Sequence, residues 1–304
     1  FDGEGKDELF FPLPNGKIYI WKNEELLSNY PIQLPFYIPY NYTWDGESIY
    51  LPLQRDEVCC LYKLNSAEHY YAFRSNAYSW LSHPVDIGEN LALPLKINAD
   101  NNAFAIKLYN KTDMTVASLA DYSGKFIANL IHYDNQLSVV YQNAEGEYWL
   151  SEIDLSNYDK KEIKLPIPAD STIVAVFKAP IADTENLIIQ CPNSVYCLQG
   201  ANIVDGFPYV HNLVAASDSS FIAPLTFADV DGNGSLDILI GGESDFAIID
   251  YSGKLMNLEN QNPEPHTDFI SAGIYAMDID NDNNAEIIGN FKYNRLNIWE
   301  HNYR

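Results

Sequence analysis

The stretch FADVDGNGSLDILIGG, residues 227–242, limits the possible folds of this chain more than any other segment. Oxygen-bearing side chains alternate along it: Asp229, Asp231 and Asn233 at the first, third and fifth positions, Ser235 as a backbone-carbonyl donor at the seventh, and Asp237 at the ninth. A hard divalent cation takes roughly six to eight oxygens, and a tight loop with ligands on alternate residues can wrap them around one point. Gly232 and Gly234 supply the positive-φ turns that such wrapping needs. An EF-hand would flank the loop with amphipathic helices, but SFIAPLTFA and LDILIGG read as strands on both sides. Any fold for this chain must therefore seat an ion loop between two strands.

With that unit as a template, the rest of the chain divides into copies. GIYAMDIDNDNNAEIIGN repeats the ladder with Asp278, Asp280, Asp282, the carbonyl of Asn284, and Glu286, with Asn281 and Asn283 in place of the glycines. Asn tolerates left-handed backbone better than other non-glycine residues. The N-terminal FDGEGKDELFF matches from the third position onward, with Asp2, Glu4, Lys6 and Glu8 at positions three, five, seven and nine. Its first ligand and first strand would precede Phe1, so the pattern predicts upstream sequence and a larger parent protein. Four copies are eroded: Asp45-Gly46-Glu47, Asp100-Asn101-Asn102, Asp134-Asn135, and Asp183 with Glu185 and Asn186. None of the four keeps a full oxygen ladder, so no ion is expected there.

The second strand of each copy is expected to begin near Glu8, Ser48, Ala103, Gln136, Asn186, Asp237 and Glu286, on average about 46 residues apart. An aromatic-rich third strand follows, as in KIYIWK, EVCCLYK and EYWLSEID, and the fourth strand often carries Tyr-Pro or Phe-Pro. DYSGK occurs at 121 and at 250, both times where a turn from third to fourth strand is expected. Seven four-stranded antiparallel units describe an all-β fold, a seven-bladed β-propeller whose N-terminal blade lacks its first strand. Eight blades, completed by upstream residues, is the alternative. The approximate blades are 1–35, 36–78, 79–128, 129–168, 169–212, 213–262 and 263–304, in a single domain.

Composition narrows the function. Forty-two Asp and Glu against 18 Lys and Arg give a formal charge of −24, which repels nucleic acid and anionic membranes. No apolar run approaches the roughly 18–20 residues of a membrane helix, and no signal peptide is evident. The 22 tyrosines and 13% aromatic content favour strands over helices. Among the aromatics, Trp21, Tyr62, Tyr109, Trp149 and Trp299 are expected to pack between blades, whereas Trp44 and Trp80, in loop-like contexts, could stack on sugars. Cys191 and Cys197 flank a turn and could bridge it as a disulfide. Cys59 and Cys60 are adjacent and would point to opposite faces of a strand. Six scattered histidines form no recognisable catalytic pairing, and no nucleophile elbow or phosphate loop occurs.

The ladders at Asp229–Asp237, Asp278–Glu286 and Asp2–Glu8 resemble the FG-GAP or VCBS repeat family, the propeller class that includes integrin alpha-chain heads. The resemblance is specific in the first, sixth and seventh units and weaker in the four between. It implies calcium in the loop between the first two strands of a blade, usually in a supporting role: two sites here and a possible third at the N-terminus. The expected function is a non-catalytic, calcium-stabilised binding or adhesion module for a protein or carbohydrate ligand, secreted or at the cell surface, without membrane insertion and attached to further domains. Near-millimolar extracellular calcium suits such sites. The alternatives are the propeller of a secreted polysaccharide hydrolase or lyase and an architectural repeat of a surface assembly.

Overall fold

The computed structural model describes residues 8–22, 25–65, 68–100, 102–181, 184–213, 224–242, 246–256, 274–277, 286–291 and 295–299. Every regular element among them is a β-strand, and the strands form seven sheets in chain order. The chain divides into two compact units at Glu162 and Ile163.

In the first unit, the first sheet holds Glu8–Pro12, Lys17–Lys22, Glu25–Leu26 and Ile32–Gln33; no strand precedes Glu8 among the described residues. The second holds Thr43–Trp44, Ile49–Arg55, Val58–Leu64 and His69–Ser75. The third pairs Tyr78–Trp80 and Val85–Ile87, two halves of an interrupted first strand, with Asn90–Ile97, followed by Ala103–Asn110 and Val116–Ser123. The fourth likewise pairs Lys125–Phe126 and Ile131–Tyr133 with Gln136–Gln142, then Tyr148–Asp154 and Lys160–Lys164, the last of which spans the division between the units. Two-residue hairpins at Asp56-Glu57 and Asp134-Asn135 use Asp at φ 51° and 52°, a residue type that accepts left-handed backbone.

In the second unit, the fifth sheet holds Ala175–Ile181, Thr184–Cys191, Ser194–Gln199, Asn202–Ile203 and Tyr209–Val210. The sixth holds Thr226–Ala228, Asp237–Gly241 and Phe246–Ile249, extended by a single bridge from Ile249 to Leu255. The seventh holds Ile274–Met277, Glu286–Phe291 and Arg295–Trp299. The last two sheets therefore show three strands among the described residues, against the four that spacing suggests.

Each core lies between consecutive sheets. Ile18 and Ile20 of the first sheet pack with Leu51, Leu53 and Cys60 of the second. From the opposite face of that second sheet, Tyr50, Cys59 and Leu61 meet Leu91, Leu93 and Tyr109 of the third. Phe104 and Ile106 of the third then meet Leu137 and Val139 of the fourth. In the second unit, Ile188 and Cys197 of the fifth sheet pack against Ile238 and Ile240 of the sixth, and Leu239 and Ile248 against Ile274 and Ile287 of the seventh. A central strand is therefore apolar on both faces, and Ile49–Gln54 is buried at every position. Outer strands such as Val116–Ser123 and Lys160–Lys164 are largely exposed and more polar. Truncating a fully buried residue such as Leu93 to Ala should cost about 2–5 kcal/mol.

Four expectations change. In the third sheet the second strand is Asn90–Ile97, not the segment starting at Ala103, so Asp100 lies between the second and third strands. Its first strand is broken around Ser82-His83-Pro84, which hid it, while the Asp100 turn imitated the acidic loop. Cys191 and Cys197 are both free, since the register sets Cys191 opposite Ser194 and Cys197 opposite Ile188. Trp80 is buried, donating its indole N–H to the carbonyls of Leu53 at 3.0 Å and Cys60 at 3.2 Å. Finally, the two DYSGK segments do different things. Asp250–Lys254 is the expected turn, with Asp250 Oδ1 accepting from the Ser252 and Lys254 N–H groups, and Tyr251 is 43% exposed. Asp121–Lys125 instead links the third sheet to the fourth. Tyr122 is 5% exposed, stacked 4.6 Å from Phe104, and a Cβ on Gly124 would meet the Gln142 carbonyl at 2.5 Å.

Candidate metal centre

The first loop of the sixth sheet is wound by its own carboxylates. Asp229 Oδ1 accepts the Asn233 N–H at 3.0 Å and Oδ2 the Gly234 N–H at 2.8 Å. Asp231 takes the Asn233 N–H at 3.1 Å and its side-chain amide at 2.9 Å, and Asn233 Oδ1 accepts the Ser235 N–H at 2.7 Å. Gly232 and Gly234, at φ 68° and 89°, allow the reversal. Val230 points the other way, fully buried with Leu239 and Ile274, and so anchors the loop to the core.

Asp237 opens the central strand and is 0% exposed. One carboxylate oxygen, Oδ2, accepts the Val230 N–H at 2.9 Å; the other, Oδ1, is buried with no hydrogen-bond partner. Burial pushes its acidity constant up to about 7, the Val230 N–H opposes this, and the charges of Asp231, Asp229 and Asp250 add to the rise. Asp250 follows the residue opposite Ile238 in the register, which places it beside Asp237 on the neighbouring strand. Sequence reasoning noticed DYSGK but did not connect Asp250 with the loop.

The ligand atoms of Asp229, Asp231 and Asp237 lie within 4.8 Å of one another. Calcium–oxygen bonds of about 2.4 Å put oxygens on opposite sides of one ion about 5 Å apart, so a single ion can touch all three. The donors are all hard oxygens, and one is a desolvated, unpartnered carboxylate oxygen. The residues fit a hard divalent cation. Asn233 and Ser235 lie in the same turn and could add oxygens.

Of the other candidate ligands, Asp278, Asp280, Asp282 and Asn284, and Asp2, Glu4 and Lys6, lie outside the described residues. Glu286 is buried at the start of its strand, and the Glu8 side chain is 4% exposed with Lys22 Nζ 4.0 Å away. In the remaining sheets Asn90 and Gln136 open the corresponding strands, Ser48 directly precedes one, and Asn186 is the third residue of another. A polar residue thus stands at or near the start of this strand in all seven sheets, and in three of them the strand opens with a carboxylate. Trp21 and Trp44 are exposed, and Tyr62 and Tyr109 lie in the cores; the Trp299 side chain lies outside the described residues. Among the described residues no helix is long and apolar enough to cross a membrane.

No protein-family model matches the chain, and no curated protein sequence does either. Solved structures do resemble it. Sqt1 of Saccharomyces cerevisiae aligns at a TM-score of 0.58 and 12% identity over 99% of this chain and 84% of its own. An oligogalacturonate lyase of Vibrio parahaemolyticus aligns at 0.54 and 12% over 79% and 73%. BBS1N, solved in complex with ARL6DN, aligns at 0.53 and 12% over 99% and 90%. Identities this low carry the fold alone, and the fold they share is of the β-propeller type.

Proposed function

We propose that this chain is a seven-bladed, calcium-stabilised propeller of the FG-GAP or VCBS type, a non-catalytic module that binds a protein or glycan outside the cell. The observation behind the calcium is the buried, unpartnered Asp237 Oδ1 beside Asp229 and Asp231. A cation there relieves the mutual repulsion of three carboxylates and ties the loop to the central strand. Asp229, Asp231 and Asp237 would hold it, and its contribution is structural. A net charge of −24 supports a soluble surface that selects ligands by specific contacts rather than by attraction to polyanions. Calorimetric titration with Ca²⁺, with Mg²⁺ as control, tests the ion. A glycan array and a protein-capture screen without substrate turnover test the binding role.

The likeness to an oligogalacturonate lyase favours a second reading, a propeller acting on acidic polysaccharide. Incubation with oligogalacturonate separates the two: new chain ends on chromatography would replace the binding reading with the catalytic one.

A further inference from the structure

The chain contains two Asn-Gly steps, Asn15-Gly16 and Asn233-Gly234, and the fold treats them differently. At such a step the glycine nitrogen can add to the asparagine side-chain carbon, because no Cβ on the second residue stands in the way. Both asparagines are exposed, and both are bent toward that reaction. Asn15 Oδ1 accepts the Lys17 N–H at 3.1 Å, and Asn233 Oδ1 accepts the Ser235 N–H at 2.7 Å, so each side-chain carbonyl is folded back over the peptide bond that follows it. Gly16 and Gly234 share the left-handed backbone, at φ 82° and 89°.

Their surroundings separate them. The Asn15 carbonyl accepts from Gln33 Nε2 at 3.0 Å, the Gly16 carbonyl accepts the Leu34 N–H at 3.0 Å, and the Gly16 N–H donates to the Leu13 carbonyl at 2.9 Å. A Cβ on Gly16 would run into the carbonyls of Phe36 and Leu34. Ring closure there would have to turn a peptide bond that is gripped on both sides. Gly234 is exposed, with nothing within 4 Å of where a Cβ would stand. Its N–H donates to Asp229 Oδ2 at 2.8 Å, so the attacking nitrogen has a carboxylate rather than a carbonyl as its proton acceptor. Asn233 Nδ2, the atom that must leave, donates to Asp231 Oδ2 at 2.9 Å.

We propose that Asn233 is a site of spontaneous covalent modification, closing on Gly234 to a cyclic imide and reopening as aspartate or isoaspartate. The Gly234 nitrogen bonds to Asn233 Cγ and gives up its proton; the Cγ–Nδ2 bond breaks, the amide nitrogen takes that proton, and ammonia leaves. Water then opens the imide at one carbonyl or the other, with no change of oxidation state. Aspartate adds a further carboxylate to the Asp229–Asp237 loop. Isoaspartate lengthens the backbone by one carbon and shifts Ser235 relative to Asp229.

The test incubates the whole chain in EDTA at mildly alkaline pH for several days. Chymotryptic peptides are then weighed for the gain that marks amide-to-acid conversion, and isoaspartate is identified by methyltransferase labelling. Asn233 should convert roughly tenfold faster than Asn15, the ratio that about 1.4 kcal/mol of extra cost at the gripped step gives. In urea, where both steps are released, the two rates should match. Asn233→Gln should abolish the signal at this position and leave the slow conversion of Asn15 as it was. Added calcium should slow the conversion of Asn233, an effect that rests on the proposed ion site, because ligation would draw Asn233 Oδ1 and Asp229 away from Gly234. Conversion in EDTA that calcium leaves untouched supports the modification and counts against the ion. An Asn233 that stays an amide in EDTA, or that converts no faster than Asn15 in the folded chain, would overturn the inference.

Discussion

The fifth and sixth sheets put near-isosteric side chains at the same point and reach opposite solutions. In the fifth, Asn186 donates its amide to the carbonyls of Ile181 at 2.9 Å and Thr184 at 2.6 Å, closing the hairpin from within. Lys178 and Glu185 pair beside it at 2.6 Å. In the sixth, Asp237 has no N–H to give; it accepts one backbone hydrogen bond and leaves one oxygen bare beside two more aspartates. The seam between the second and third sheets offers a further variant, in which Lys111 bridges Asp45 and Asp86. The difference teaches that a turn in this fold can be closed by an amide or by an ammonium, whereas the Asp237 turn leaves an oxygen open; the proposed ion would close it and would make stability depend on the metal content of the medium.

Chelation should give the largest effect. At a calcium concentration about 100 times the Kd, removing the ion should cost about 2.7 kcal/mol, read by calorimetry in EDTA against calcium. An unchanged melt would put the sixth sheet in the same class as the fifth. Next comes Asn186→Asp, which removes both amide bonds and buries a carboxylate without ligands. About 2 kcal/mol should be lost in denaturant melts, with or without calcium; rescue by calcium would mean the fifth sheet retains a latent ion site.

The pH dependence is smaller. The folded Asp237 value of about 7 stands above the ordinary 3.8, so between these values the ion-free folded chain holds a proton that the unfolded chain has lost. Stability in EDTA should therefore fall as pH rises from about 4 to about 7, by on the order of 1 kcal/mol after local relaxation. Asp237→Asn should flatten this slope in EDTA and abolish the response to calcium. Smallest is Lys178→Met, expected to cost about 1 kcal/mol or less in the same melts because Glu185 remains partly exposed to solvent.

The alternation of apolar strands and acidic turns made the all-β class and the antiparallel sheets legible, because a strand buried on both faces has to be written in apolar residues. The loop at Asp229–Asp237 was legible for a related reason: carboxylates crowded onto alternate residues repel one another, and an ion at their centre removes that cost. Two kinds of feature stayed hidden. A strand split by a Pro-containing break, as at Ser82-His83-Pro84, loses its periodicity, and a nearby Asp-Asn turn takes its place in the pattern. Closure by a residue distant in sequence, as with Lys111 or Asp250, depends on register, which local spacing does not carry. Once Asn90 is restored as the start of the third sheet's central strand, Glu8, Ser48, Asn90, Gln136, Asn186, Asp237 and Glu286 form an unbroken polar series that no single segment reveals.

The twin DYSGK segments have a practical consequence. With Tyr251 at the surface and Tyr122 buried against Phe104, an antibody raised to the pentapeptide would find one epitope on the intact molecule and two on the denatured chain. The ratio of bound antibody to protein would then act as an internal gauge of whether the first unit is folded, without any label having been introduced.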